Sequence, residues 1–514
     1  MSKTIIIIGA GLAGLSAALQ AAENGCNVKL VSSLPSERAQ SVMAEGGINA
    51  ALNTKDENDS PEEHFTDTIK AACGLADPNA VWGMTQAAPE LVHWLLKLGV
   101  KFNMSGYDDV DLRNFGGQKK KRTAFAQSDT GKQIMTAMID AVRRKEASGM
   151  VERFSNHSFL TLRLCGNICC GCVIRDEYSQ ETVELPGDAV IVATGGMHGL
   201  FGNTTGSLSN TGEVTAELFR LGVPLANGEM IQYHPTTVKC GGKRMLISEA
   251  ARGEGGRLFA MKDGKQWYFM EEKYPELGNL MPRDITAREI WKVSHESEVF
   301  LDMTEISDEI ISNKLSGLAD DCMTYLHKDI RKEPVSVLPG IHYFMGGILV
   351  DEQHRTPIQN LCAAGECCAQ YHGANRLGGN SLLGALYGGR VAAKSACEQA
   401  DVVDLSCATQ IDFPPASQIS EIKQLNKVMQ ETMGVVRNEN TLLNGIKTVQ
   451  ALTGNLPLLG MAVLKSALAR KESRGAHWRE DYPKSNDDDY LKTTVARFDG
   501  KQIQISFVPV PERR

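Results

Sequence analysis

The first strong pattern in the chain is a continuous apolar run, KTIIIIG at Lys3–Gly9, which predicts a strand. It runs into GAGLAG at Gly9–Gly14 and then into the helical pattern LSAALQAAENG. A second strand, NVKLVS, follows at Asn27–Ser32. A β–α–β unit of about thirty residues is the setting in which a glycine pattern acquires meaning. Two more apolar strands lie far downstream. DAVIVATGG at Asp188–Gly196 opens into a Thr-Gly-Gly turn, and NLCAAGECCAQ at Asn360–Gln370 ends at Gly365–Glu366. The sheet is therefore expected to be completed by segments distant in sequence. The stretch 227–332 reads as an inserted domain. From about Ser417 the period turns helical, through SEIKQLNKVMQETMG, ENTLLNGIKTVQALTG and LPLLGMAVLKSALARKE. TTVARFDGKQIQISFVPV alternates on both sides of Asp499–Gly500, which predicts a terminal hairpin. SPEEHFTDTI is expected to be a loop leading into a helix.

These elements predict an α/β protein. A Rossmann-like nucleotide-binding domain takes residues 1–226 and 333–405, an α+β capping domain is inserted at 227–332, and a helical domain with its hairpin fills 406–514. At 514 residues the chain exceeds what one core supports, consistent with such a division. The 42% hydrophobic and 23% charged content is ordinary for a globular enzyme, and 49 glycines suggest many tight turns and close approaches to a ligand. A net charge of -8, with no basic run beside an aromatic platform, argues against nucleic-acid binding.

The N-terminus has one Lys, a short apolar run and then glycines instead of a cleavage site, so it does not read as a signal peptide. No window reaches the ~18 apolar residues of a membrane span. The chain is expected in the cytoplasm, or peripherally on the inner face of the cell membrane through partner subunits. Thirteen cysteines in a chain without a secretion signal do not suggest a disulfide framework. Cys165, Cys169, Cys170 and Cys172 read best as small residues on a strand pair turning at Gly166–Asn167. No metal site is expected, and no Cys-x-x-Cys-His is present for a haem.

In the β–α–β unit, Gly9 permits the tight turn, Gly11 lets the backbone approach a pyrophosphate, and Gly14 lets the helix pack on the sheet. The anion would sit over the helix N-terminus, at the backbone of Ala10 and Gly11, where free N–H groups and the dipole favour it. An acid is expected near the end of the second strand to hold the ribose, but Ser32 and Ser33 stand there. A hydroxyl still bonds a ribose, more weakly than a carboxylate. This weakens a generic NAD reading more than an FAD reading. Gly46–Gly47, directly after the nucleotide unit, would let the backbone lie flat against a ring system.

Several segments occur in a telling order: GAGLAG, AEGGINAAL, FGGQKKKRTAFAQSDTG at Phe115–Gly131, QYHPT at Gln232–Thr236, ISEAARGEGG at Ile247–Gly256 and PRDITARE at Pro282–Glu289. HYFMGG at His342–Gly347, HGANRLGGNSL at His372–Leu382 and SRGAHWREDYP at Ser473–Pro483 follow. Together they resemble the flavoprotein subunits of succinate dehydrogenases and fumarate reductases, with the L-aspartate oxidases as close relatives. The resemblance covers nearly the whole chain. It implies FAD as cofactor, held by Gly9, Ala10, Gly11, Gly14, Ser32, Ser41, Ala44, Gly46 and Gly47 from the N-terminal unit. Further along it implies Ala193, Thr194, Gly195, Glu213 and Glu366, then Asn380, Ser381 and Leu382 at the start of a helix.

Fumarate carries two carboxylates, so its pocket needs cations or donors at both ends, and Arg forks suit carboxylates better than Lys. The resemblance implies a clamp of His234, Ser248, His342 and Arg376, with Phe115 beside it. A lone His would more often be a satisfied structural group; two His in Gly-rich loops together with Arg376 favour the functional reading. Arg283 matches the family's proton donor, opposite the flavin N5 that supplies hydride, and Glu249 and Arg252 match its proton relay. A local Glu–Arg ion pair is the plainer reading of those two, worth about 1 kcal/mol if exposed.

The main departure is Gln40, which stands where respiratory members bond a His to the flavin. FAD is therefore expected to be held non-covalently. The family's covalent link raises the flavin potential, and for a two-electron couple ~30 mV equals ~1.4 kcal/mol. A non-covalent flavin thus leans toward fumarate reduction. FGGQKKKRTAFAQSDTG favours a dicarboxylate reductase over the rival aspartate oxidase, and the intact clamp disfavours a non-catalytic electron-transfer subunit. The resemblance also implies an iron–sulfur partner subunit, with a membrane anchor or a thiol-linked electron donor.

Overall fold

A computed structural model describes residues 2–106, 109–399, 408–411, 413 and 418–514. The apolar runs build the sheet as their pattern dictates. β1 (Thr4–Ile8) lies parallel to β2 (Asn27–Ser32) on one side and to β5 (Ala189–Val192) on the other. β4 (Val151–Ser155) joins outside β2 and β8 (Leu361–Ala363) outside β5, giving the order β8–β5–β1–β2–β4. Ile5, Ile6 and Ile7 are fully buried, as a parallel sheet covered on both faces requires. Each such side chain contributes roughly 1.5–3 kcal/mol of burial free energy.

α1 (Leu12–Glu23) begins one residue after Gly11 and is buried on nearly every side. Its Ala- and Leu-rich sequence combines high helix propensity with small girth. α4 (Asn380–Gln399) packs directly across it. The crossing needs a glycine, because a Cβ at Gly389 would stand 2.3 Å from Ala13 O. Both helices point their N-termini toward the same end of the sheet. Behind that end lies a small sheet in which β3 (Ile48–Asn49) pairs with Thr123–Ala124.

The inserted part has its own apolar core, including Ile247, Leu258, Ile290, Leu301 and Val335. β6 (Ile231–Cys240) is flanked by Lys243–Leu246 and by β7 (Leu338–Phe344). The β6–β7 pair thus straddles the expected limit at residue 332. α2 (Glu249–Gly253) and α3 (Arg283–Val293) carry the residues of ISEAARGEGG and PRDITARE.

The three C-terminal helices form at Ile419–Thr432, Glu439–Val449 and Asn455–Ala469, packed with Leu200, Phe201 and Phe219. The expected helical onset at Ser417 and the limit at 405/406 lie outside the described residues. β9 (Lys492–Phe498) and β10 (Ile503–Pro509) form the terminal hairpin around Asp499–Gly500. β9 also pairs with Leu225–Ala226, so the hairpin extends a five-stranded sheet that includes Gly347–Leu349 and Cys368–Ala369. The Cys-rich segment is a hairpin of His157–Cys165 and Ile168–Asp176 turning at Gly166–Asn167. Cys169, Cys170 and Cys172 are buried free thiols, whereas Cys165 is disulfide-bonded. No described helix is long and apolar enough to cross a membrane.

Candidate active site

A cavity of about 570 Å³ opens at the carboxyl end of the parallel sheet and runs to the face of the inserted part. Gly9, Ala10, Gly11, Ser32, Ser41, Ala44, Gly46, Gly47, Ala193, Thr194, Gly195, Glu213, Glu366, Ser381 and Leu382 all line it. The glycines are there for close approach. A Cβ at Gly9 would stand 2.3 Å from Ala193 O, and one at Gly47, whose φ is +136°, 2.5 Å from Ala124 O. Gly11 at the N-cap has no side chain to cap α1, and Leu12 N donates to Ser41 Oγ at 3.3 Å. The Ser32 hydroxyl at the end of β2 is buried on the cavity wall without a partner. A helix N-terminus that begins at a glycine, a spare hydroxyl where a ribose belongs and a glycine-paved floor fit a dinucleotide.

At the other end stand Phe115, His234, Ser248, Glu249, Arg283, His342 and Arg376. Strand β6 brings His234 and β7 brings His342, with ring centroids 5.1 Å apart. Burial first, and then the guanidinium of Arg283, hold both imidazoles well below the usual histidine range, so both are neutral. Thr205 Oγ1 lies 2.8 Å from His342 Nδ1, and His234 Nδ1 lies 3.1 Å from Thr236 O and 3.3 Å from Thr236 N.

Arg283 opens α3. Its Nε and Nη2 donate to Glu249 Oε2 at 2.8 and 2.5 Å, and its Nη1 donates to Gln232 Oε1 at 3.0 Å. Arg252 Nη2 lies 3.4 Å from Glu249 Oε1, so one carboxylate joins two guanidiniums. Burial works to raise the Glu249 carboxyl, but Arg283 and Arg252 outweigh it and hold it below the usual range. All three side chains are buried, so the plainer reading of an exposed ion pair does not apply. Arg376 is buried over the Tyr343 ring at 4.4 Å, with its Nε unpartnered. Burial, reinforced by Arg283, pulls it down to about 9. Among the described residues no carboxylate pairs with it.

Three expected residues do not reach the cavity wall. Gly14 is a packing glycine, since a Cβ there would meet Gly9 O at 1.8 Å. Arg252 lies behind Glu249, donating to Asn279 O at 2.6 Å. Asn380 turns its side chain away: its Oδ1 accepts from Asn49 Nδ2 at 2.7 Å and faces His64 Nε2 at 2.9 Å. Other residues at the site were not singled out by the sequence. Gln232 donates from Nε2 to Asn375 Oδ1 and Arg376 O at 2.9 and 2.8 Å, tying Arg283 to the loop of Arg376. Its signal was its place two residues before His234 in QYHPT. Glu45 lines the cavity with Oε2 enclosed and unpartnered. Gln40, which the sequence did single out, faces the cavity as well, and its Oε1 accepts from Ser207 N at 2.5 Å.

Comparison with known proteins agrees with this geometry. Residues 4–382 match the FAD binding domain family, and residues 452–513 match the fumarate reductase flavoprotein C-terminal family. The chain is 38% identical to the succinate dehydrogenase flavoprotein subunit of Bacillus subtilis, over 100% of this chain and 98% of that one. It is 32% identical to the 8-methylmenaquinol:fumarate reductase flavoprotein subunit of Wolinella succinogenes, covering 100% and 92%. Among solved structures, E. coli quinol fumarate reductase superposes with a TM-score of 0.90 at 27% identity, covering 99% and 97%. The glycine floor, the N-terminus of α1 and the buried cation cluster thus sit in an FAD-dependent oxidoreductase, and the chain belongs to the flavoprotein subunits of succinate dehydrogenases and fumarate reductases.

Proposed function

We propose that this chain interconverts fumarate and succinate, with fumarate reduction favoured, and that FAD is held without a covalent bond. The observation that carries the dicarboxylate reading is Arg376, a buried guanidinium with no carboxylate of its own, facing the same cavity as Arg283. A buried cation without a counter-ion is costly, and an anionic substrate removes that cost. His234, His342 and Ser248 add neutral polar groups beside the two guanidiniums, so the pocket suits a small dianion bonded at both ends. When bound, FAD supplies the hydride for one carbon of the double bond. Arg283 donates the proton to the other carbon, and Glu249 with Arg252 returns a proton to Arg283. Phe115, packed under Gly46, excludes water from one wall.

Gln40 supports the non-covalent reading, because an amide offers no nucleophile for a bond to the ring and its oxygen is already engaged by Ser207 N. Electrons come from an iron–sulfur partner subunit, fed by a membrane anchor or a thiol-linked donor, with the chain in the cytoplasm or peripheral on the inner face of the membrane. Residues 1–226 and 333–405 would bind the cofactor, 227–332 cap the substrate, and 406–514 brace both. The test is an anaerobic assay of purified protein with reduced viologen and fumarate, beside L-aspartate with oxygen. Fumarate-dependent viologen oxidation without aspartate oxidation is expected, and the reverse pattern would overturn the proposal.

A further inference from the structure

We propose that Asn49 is a positioning residue that holds the substrate clamp and the cofactor-facing helix end in one register. It deepens the reading of Arg376 as the dicarboxylate clamp and rests on it. One short loop serves both ligands: Arg376 lies at one end of it, and Gly379, Ser381 and Leu382 line the cavity at the other. Asn49, fully buried on β3, grips the middle of that loop. Its backbone N donates to Gly379 O at 3.1 Å, and its Nδ2 donates to Gly378 O and to Asn380 Oδ1, both at 2.7 Å. Its own Oδ1 is oriented by Gln118 Nε2 at 3.0 Å and Thr123 Oγ1 at 2.6 Å. That fixes which end of the amide faces the loop, because both groups donate.

The grip is close. A Cβ at Gly379, whose φ is +84°, would stand 2.1 Å from Asn49 Oδ1. The network runs on through Asn380, whose Nδ2 donates to Thr68 Oγ1 at 3.0 Å and whose Oδ1 faces His64 Nε2. Asn380 is thereby locked, which sets where α4 starts and where its free N–H groups point. Those N–H groups favour negative charge on whatever they face. The same amide therefore governs how firmly Arg376 is presented to a carboxylate and how well the helix end stabilises reduced flavin. One residue that holds both ends predicts that both properties move together.

The experiment uses the FAD-loaded protein and the variant Asn49→Asp. The substitution keeps the shape and the acceptor but replaces the donor by an oxygen facing Gly378 O and Asn380 Oδ1. Expected are a KM for fumarate raised about tenfold, within the range for a lost buried hydrogen bond, and a smaller change in kcat. The flavin midpoint potential without substrate should fall by about 30 mV, the equivalent of tenfold weaker hold on the reduced form. Thr123→Val, which removes one orienting donor and keeps the shape, should shift both readouts in the same direction by less. FAD-loaded Asn49→Asp with wild-type KM and potential overturns the proposal, and so does a shift in one readout without the other. If Asn49→Asp does not fold, Thr123→Val decides by the same two readouts. Should the wild type not turn over fumarate, the function proposed above falls, and an unchanged potential would still overturn the role of Asn49.

Discussion

Replacing Arg283 by Lys separates charge from geometry at the proton donor. Arg283 makes three hydrogen bonds, two to Glu249 Oε2 and one to Gln232 Oε1, so its guanidinium is held at three points. A tetrahedral ammonium has three donors but no planar fork, so it cannot reproduce the paired Nε and Nη2 contact to Glu249 while also reaching Gln232. Because the charge is kept, Glu249 retains two cationic neighbours, and the destabilisation should stay near ~1–2 kcal/mol from weakened hydrogen bonds. The proton donor, however, is displaced from the place where the substrate carbon must meet it. Loss of a positioned general acid costs about 10²–10⁴ in rate, or ~3–5 kcal/mol of barrier. Arg376, His234 and His342 are untouched, so KM for fumarate should change only a few-fold. The measurement is kcat and KM by anaerobic viologen oxidation, with FAD content from absorbance. A fully FAD-loaded Arg283→Lys protein that keeps a third or more of wild-type kcat would mean that the proton comes from another group.

Three further outcomes follow from the same coordinates. Burial first, then Asp321 and Asp129, lift the Glu45 carboxyl to about 8. The folded state therefore holds a proton that the unfolded chain releases near 4.5, so this group's stabilisation is full below about 4.5 and is lost as pH rises through about 8. Glu45→Gln, which mimics the neutral acid, should leave the melting temperature nearly unchanged at pH 5 and raise it at pH 9; an equal shift at both pH values would refute this. Gly14→Ala places a methyl 1.8 Å from Gly9 O and should abolish FAD binding, measured by flavin absorbance after gel filtration. Acid precipitation of the native protein should release the yellow colour to the supernatant, and a yellow pellet would refute the reading of Gln40.

What was legible in the sequence, and what was not, follows from where the deciding interactions lie. The strands β1 and β2, the glycine turn and α1 are set by neighbours in sequence, so the run of Ile and the spacing of Gly9, Gly11 and Gly14 announced them. The terminal hairpin was equally local, yet its partner strand Leu225–Ala226 lies more than 260 residues upstream and left no mark on the alternating pattern. Asn380 shows the limit most sharply. Its place at a helix start was read correctly, but that place does not fix where the side chain points. The direction is set by Asn49 and His64, each more than 310 residues away. Arg252 and Glu249 were recognised as partners, while their burial, which sets this pair apart from an ordinary exposed ion pair, depends on Asn279 and Gly116 from other elements. Polar residues such as Gln232 and Asn49 act by tying one loop to another, and a sequence pattern registers which face a residue takes, not which distant backbone it meets. The chemistry-bearing residues were therefore visible as types in order, and the residues that hold them in register emerged only once the chain was folded.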